Sequence, residues 1–173
     1  MSNKPQVEAL TAAEDVLGEC SLWDERAQFF YWVDSRAPAL YRLDPASGKR
    51  DAWKMPAAIG SFGFRANGGL LLALQTGLHR TDKPGGTLTP FVQPEPDKPG
   101  NRLNDGRVDP AGRYWVGSMS DESREPLGSL YRIDPDGRCS HHGNQIVVPN
   151  SIAWAPDGRT MYFADTYRDT IWQ

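Results

Sequence analysis

The sequence predicts an all-β chain of short antiparallel sheets arranged as the blades of a β-propeller. Three observations predict it. First, the apolar runs are short (Phe29 to Val33, Leu70 to Leu74, Tyr114 to Val116, Leu130 to Ile133, Met161 to Ala164), and no long segment keeps helical spacing. Second, each run adjoins turn chemistry, such as Asn67-Gly68-Gly69, Asp109-Pro110-Ala111-Gly112, Asp134-Pro135-Asp136-Gly137 or Pro156-Asp157-Gly158. Third, the chain repeats itself. Asp109-Pro110-Ala111-Gly112-Arg113-Tyr114-Trp115-Val116 echoes Ala155-Pro156-Asp157-Gly158-Arg159-Thr160-Met161-Tyr162-Phe163, and the segment from Trp23 to Asp34 fits the second register, with Asp34 on Asp165. A fourth unit runs from Phe64 to Leu72. Ahead of the four units, at one shared register, stand Glu19, Gly60, Asn104 and Asn150, spaced 41, 44 and 46 residues apart. A period of that length with four short strands per unit marks propeller blades.

The third unit shows the blade in order. An inner strand follows Asn104, Asp-Pro-Ala-Gly turns the chain, and a second strand covers Arg113 to Ser118. A loop from Met119 to Leu127 leads to a third strand, Gly128 to Ile133, and Asp-Pro-Asp-Gly leads to an outer strand from Cys139 to about Val148. In such a meander the loop between the second and third strands lies on the same face as the start of the inner strand. The segments 34–38, 119–127 and 165–169 are therefore expected over one mouth, with Glu19, Asn104 and Asn150 converging on the central axis. Asp34 and Asp165 close their second strands there; either could line the rim, and the favoured role is structural, a carboxylate that bonds loop N–H groups. Three blades plus residues 150–173 do not close a ring, and the chain stops at Ile171-Trp172-Gln173 inside a third strand. Residues 1–173 are accordingly read as one truncated propeller domain of about three and a half four-stranded blades, whose open edge favours association.

Composition narrows the function classes. The chain has 173 residues, 39% hydrophobic and 24% charged, and a net charge of −3 without a Lys/Arg block, which argues against nucleic acid. No apolar run reaches membrane-spanning length. The polar stretch 1–13 lacks the apolar core of a secretory signal, and Cys20 and Cys139 form no paired motif, so a cytoplasmic location with reduced thiols is expected.

Three segments carry a resemblance: Leu17-Gly18-Glu19-Cys20-Ser21-Leu22-Trp23, the long stretch from Asn101 to Met119, and Pro149-Asn150-Ser151-Ile152-Ala153-Trp154-Ala155-Pro156-Asp157-Gly158. They resemble the gluconolactonase/regucalcin (senescence marker protein) family, grouped with luciferin-regenerating enzymes. The resemblance implies a six-bladed propeller in the full-length protein and hydrolysis of sugar lactones with a divalent ion. One position departs: after Asn150 the family usually has Gly, and this chain has Ser151, which alters a backbone preference and not a ligand.

Each site residue also has a bland reading. Glu19 alone is a solvated strand-end carboxylate; its register match to Asn104 and Asn150 argues otherwise, and the resemblance makes it a metal ligand. Asn150 alone is a turn residue; by resemblance its side-chain carbonyl binds the metal. Carboxylate plus amide oxygen is a hard set suited to Ca²⁺, Mg²⁺ or Mn²⁺, and Zn²⁺ also accepts oxygen. Asn104-Asp105-Gly106 reads locally as a hairpin turn, but such a turn needs strands on both sides, and Pro94, Pro96 and Pro99 make the approach irregular. Arg102 and Asn104, two apart, face one way on an extended chain, and the resemblance gives both to substrate. Glu122 is by itself an ordinary acidic loop residue next to Asp121; the resemblance gives it to substrate as well. The family's further Asp ligand and general base is expected beyond Gln173, which predicts an impaired chain. His141 and His142 point to opposite faces of a strand and are a poor metal pair. Gly60-Ser61-Phe62-Gly63 is not a nucleophile elbow. Two competing readings are a non-catalytic ligand-binding propeller, since Tyr31-Trp32-Val33-Asp34 resembles the YWTD repeat of extracellular propellers, and a calcium-handling protein.

Overall fold

The structure, a computed structural model, describes residues 7–12 and 14–173, so the reading of 1–13 as lacking a signal falls partly outside the described residues. Four antiparallel meanders follow one another. The first blade is β1 (Gly18–Asp24), β2 (Phe29–Asp34), β3 (Ala39–Leu43) and β4 (Arg50–Lys54). The second is β5 (Ile59–Phe64), β6 (Leu70–Leu74), β7 (Gly77–Thr81) and β8 (Thr89–Val92). The third is β9 (Asn101–Val108), β10 (Tyr114–Ser120), β11 (Gly128–Ile133) and β12 (Cys139–Ile146). The fourth has three strands, β13 (Pro149–Trp154), β14 (Met161–Asp165) and β15 (Thr170–Trp172), with a 3₁₀ turn at Thr166–Arg168 between the last two. This is the predicted propeller arrangement, with the inner strands side by side: β5 and β13 pack on β9, and β1 reaches both β5 and β9.

The run Leu70-Leu71-Leu72-Ala73-Leu74 shows why the blades stack. Strand side chains alternate between faces. Leu70, Leu72 and Leu74 therefore enter the layer between the first two blades with Tyr31, Val33, Leu40 and Phe62. Leu71 and Ala73 enter the layer between the second and third blades with Leu103, Tyr114, Val116 and Ile133. A run buried on both faces must be continuously apolar, and each fully buried leucine stabilises by roughly 1.5–3 kcal/mol. A third, smaller layer of Leu130, Ile146, Ile152 and Phe163 joins the last two blades.

The Asp-Pro-Ala-Gly turn is held by one buried carboxylate. Asp109 Oδ1 accepts from the backbone N–H of Ala111 and of Arg113, each at 2.9 Å, and Oδ2 accepts from Trp115 Nε1 at 2.9 Å. That bond ties the turn to the core-facing strand it precedes.

One expectation changes, and one local alternative is decided. The inner strand of the third blade begins at Asn101, because Asn101 and Arg102 pair with Ser120 and Met119, so Asn104 lies inside the ladder. The Asn104-Asp105-Gly106 triplet is a bulge in that ladder and not a turn. Every inner strand carries an irregularity at this level, between Glu19 and Leu22, Ile59 and Ser61, Leu103 and Gly106, and Asn150 and Ala153. A bulge adds a residue and re-aims the side chains around it. The last paired residues before it are Glu19, Ile59, Leu103 and Asn150, so Gly60 and Asn104 stand one residue farther on than Glu19 and Asn150.

Candidate active site

Strand β9 delivers Arg102 and Asn104 to the hub, both nearly fully buried. Being two residues apart they share a side, and Arg102 Nη1 donates to Asn104 Oδ1 at 2.6 Å. Asn104 Nδ2 donates to the Pro149 carbonyl at 2.8 Å and to Asn150 Oδ1 at 3.1 Å. Asn104 and Asn150, 46 positions apart in the chain, thus meet directly. On the other side, Asn150 Nδ2 donates to Thr166 Oγ1 at 2.7 Å.

The placement has steric causes. A Cβ on Gly60 would lie 2.4 Å from the Leu103 carbonyl oxygen and 2.6 Å from Asn104 Cα, so the second blade offers no side chain at this level because β9 occupies the space. A Cβ on Gly117 would lie 2.1 Å from Pro149 Cβ, so Pro149 seats in β10 and places Asn150 beside Asn104. Beneath them Ser61 Oγ donates to the Asn104 carbonyl at 2.6 Å and accepts from the Tyr114 hydroxyl at 2.9 Å.

Glu19 comes from β1 and is half-buried. Burial pushes its carboxyl above the usual range, the neighbouring Asp105 carboxylate pushes it further, and Arg102 pulls it down. Asp105, in the bulge, is pushed up chiefly by burial, although it accepts from the N–H of Gly106 at 2.9 Å and of Ile152 at 3.3 Å. Glu19 and Asp105 thus sit in a poorly solvated hub, with the Arg102 guanidinium acting on the first and that of Arg107 on the second, an environment that a hard cation would relieve. Among the described residues no group of three or more His, Cys, Asp or Glu is gathered, so the candidate centre rests on one acid, Glu19, and one amide, Asn150. Both carry oxygen, the donor type that a hard divalent ion takes. Cys20, next to Glu19, is pushed up to about 12, first by burial, and stays a thiol rather than a nucleophile.

The loops expected over the mouth do gather there. Arg102 Nε donates to Asp121 Oδ1 at 2.8 Å, Arg36 from the loop after β2 reaches the same oxygen at 3.3 Å, and the Arg124 guanidinium lies 4.5 Å from the centroid of the Tyr167 ring. Among the described residues the carboxylate that holds Arg102 belongs to Asp121. Glu122, one residue on, is exposed and lines a cavity of about 610 Å³ with Lys98, Asn101 and Ser120. Sequence reasoning missed Asp105, Asp121 and Thr166. The acidic stretch 120–125 marked the place of Asp121, but nothing local distinguishes it from Glu122. Asp34 and Asp165 are the loop-bonding carboxylates expected: Asp34 accepts from the N–H of Val16, Leu17, Arg36 and Ala37, and Asp165 from Val147 and Val148. His141 and His142 lie on β12, against Tyr131 and Trp115 respectively, away from the hub. No helix among the described residues is long and apolar enough to cross a membrane.

Residues 17–173 match the model of the SMP-30/gluconolactonase/LRE-like region. The chain is 35% identical to a 6-deoxy-6-sulfogluconolactonase of Pseudomonas putida, over 91% of this chain and 54% of that protein. It is 31% identical to regucalcin of Xenopus laevis, over 93% and 56% respectively. Among solved structures it is similar to a calcium-binding protein, regucalcin, of Agrobacterium tumefaciens, with a TM-score of 0.88 and 32% identity, covering 94% of this chain and 55% of that one. The chain spans about half the length of the curated relatives it matches.

Proposed function

Because the chain belongs to the SMP-30/gluconolactonase/LRE-like family, we propose that the whole protein hydrolyses a sugar lactone at this hub, with one divalent ion held by Glu19 and Asn150. The observation that carries the reading is the hydrogen-bonded line Arg102–Asn104–Asn150, which joins two blades beside the Glu19 carboxylate. A bound divalent ion supplies Lewis acidity toward the lactone carbonyl and lowers the pKa of a water.

The chain's own groups would bind and orient the sugar. Arg102 uses Nε and Nη1 on Asp121, Leu103 and Asn104, which leaves Nη2 to donate to a sugar oxygen. Both N–H bonds of Asn104 are engaged, and its Oδ1 keeps a second lone pair to accept from a sugar hydroxyl. Asp121 keeps the guanidinium in place. Glu122, at the rim, would contact the part of the sugar that projects outward. The third ligand and the general base would come from a later blade, so the 173-residue chain alone should turn over poorly. The two free cysteines support a cytoplasmic location.

The test is lactone hydrolysis followed by proton release in the whole protein, after chelation and after return of Mn²⁺ or Ca²⁺. Glu19→Gln and Asn150→Ala should each abolish the metal-dependent rate. An unchanged rate removes the metal assignment, and metal binding without turnover of any sugar lactone moves the protein to the calcium-binding reading.

A further inference from the structure

The first and fourth blades repeat one arrangement beside the two candidate ligands. In β13 and β14, Pro149 pairs with Asp165 and Asn150 with Ala164; in β1 and β2, Gly18 pairs with Asp34 and Glu19 with Val33. The two aspartates clamp the preceding segment alike, Asp165 through Val147 and Val148, Asp34 through Val16 and Leu17. The next backbone N–H returns to that segment in both: Thr166 to the Val148 carbonyl at 3.0 Å and Ser35 to the Leu17 carbonyl at 2.9 Å. Thr166 and Ser35 are therefore equivalent, and both carry a hydroxyl.

The role of Thr166 follows from donor and acceptor counting. Arg102 can only donate, so Asn104 must turn Oδ1 toward it and Nδ2 toward Pro149 and Asn150. Asn150 must then offer Oδ1 to Asn104, which leaves its Nδ2 facing Thr166. Thr166 Oγ1 accepts that N–H at 2.7 Å. Flipped, the Asn150 amide would set N–H against N–H. Ser35 is 4% exposed, and its hydroxyl has no hydrogen-bond partner among the described residues. A buried unpaired hydroxyl calls for an explanation, and its equivalence to Thr166 places it at the register of Glu19.

We propose that these two hydroxyls are positioning groups for the metal ligands of their own blades: Thr166 fixes the amide of Asn150 with its oxygen toward the hub, and Ser35 donates to the Glu19 carboxylate when an ion orders it. The inference rests on the metal reading above. Outer partners of metal ligands set ligand orientation, and losing one typically lowers affinity about 10–100-fold.

The test uses the whole protein and two readouts. In metal-free protein, the Asn150 side-chain amide signals, assigned by their loss in Asn150→Ala, should shift and exchange faster with solvent in Thr166→Val and stay in place in Thr166→Ser. In Mn²⁺ titrations read by electron paramagnetic resonance, Thr166→Val and Ser35→Ala should weaken binding about tenfold or more, while Thr166→Ser and Ser35→Thr remain near wild type. Unmoved amide signals in Thr166→Val, or wild-type Mn²⁺ affinity in both Thr166→Val and Ser35→Ala, overturn the inference. Wild-type affinity in Asn150→Ala overturns the metal reading and the positioning role with it. That case is distinguished by amide signals that still move in Thr166→Val.

Discussion

Gly60→Ala is the sharpest test of the hub's geometry. The added Cβ would stand 2.4 Å from the Leu103 carbonyl oxygen and 2.6 Å from Asn104 Cα and carbonyl oxygen, where ordinary contact begins near 3.4 Å. The shortfall is about 1 Å. All three atoms are backbone, so no side chain can rotate away, and β5 and β9 must part. The seam that opens contains the buried Leu103 and the Ser61 bond to the Asn104 carbonyl. Overpacking of this kind costs about 1–3 kcal/mol, and in a chain of this length each kcal/mol lowers Tm by roughly 2–4 °C. The expected drop is thus about 2–12 °C. Because the moving backbone carries Asn104, Mn²⁺ affinity should fall in the same variant. Thermal melting by circular dichroism measures the first effect. Gly100→Ala serves as the control, since a Cβ there meets nothing within 4 Å. A Gly60→Ala melt indistinguishable from Gly100→Ala would refute the claim that β9 fills the place of a fourth side chain at the hub.

Three further outcomes are expected. Ser151 sits at φ 57°, a left-handed conformation that side chains disfavour, so Ser151→Gly should stabilise by about 0.5–1 kcal/mol without changing Mn²⁺ affinity, as read from melting and titration. Burial alone would raise the Asp34 carboxyl, but the N–H groups of Ala37, Val16, Arg36 and Leu17 outweigh it and hold it below the usual value. Its contribution is therefore present above about pH 4 and lost as pH falls through the lowered value. Asp34→Asn should be destabilised by about 2 kcal/mol near pH 7, and urea titrations should show the gap to wild type narrowing below about pH 4. Ile171, Trp172 and Tyr162 are exposed at the last blade, so the 173-residue chain should self-associate, and a monodisperse monomer in light scattering would contradict that.

What was legible in the chain, and what was not, divides by the range of the forces involved. Turn chemistry is local. Asp109-Pro110-Ala111-Gly112 announces its hairpin because one carboxylate bonds N–H groups two and four residues on. Strand alternation is local too, so Leu70 to Leu74 announces a strand buried on both faces. Repetition then makes those local facts architectural, and Asp34 and Asp165 were readable as loop clamps by register alone. The pairing of Arg102 with Asn104 followed from their separation by two residues. By contrast, the bulge at Asn104–Asp105 depends on β9 wedging between β5 and β13, and a triplet that reads as a turn in isolation is held extended by neighbours distant in sequence. The choice of Asp121 over Glu122 as partner of Arg102 depends on how a loop folds back onto a guanidinium 19 residues earlier. The orientation of the Asn150 amide depends on donors from a third-blade strand and an acceptor from the loop after β14. The sequence by itself determined the blade period, the strands and the residue types that converge on the axis, because these rest on backbone pleat and near-neighbour bonds. Only the tertiary structure decided which atoms of those residues face one another, because hydrogen-bond partners at the hub come from different blades and are chosen by packing between them.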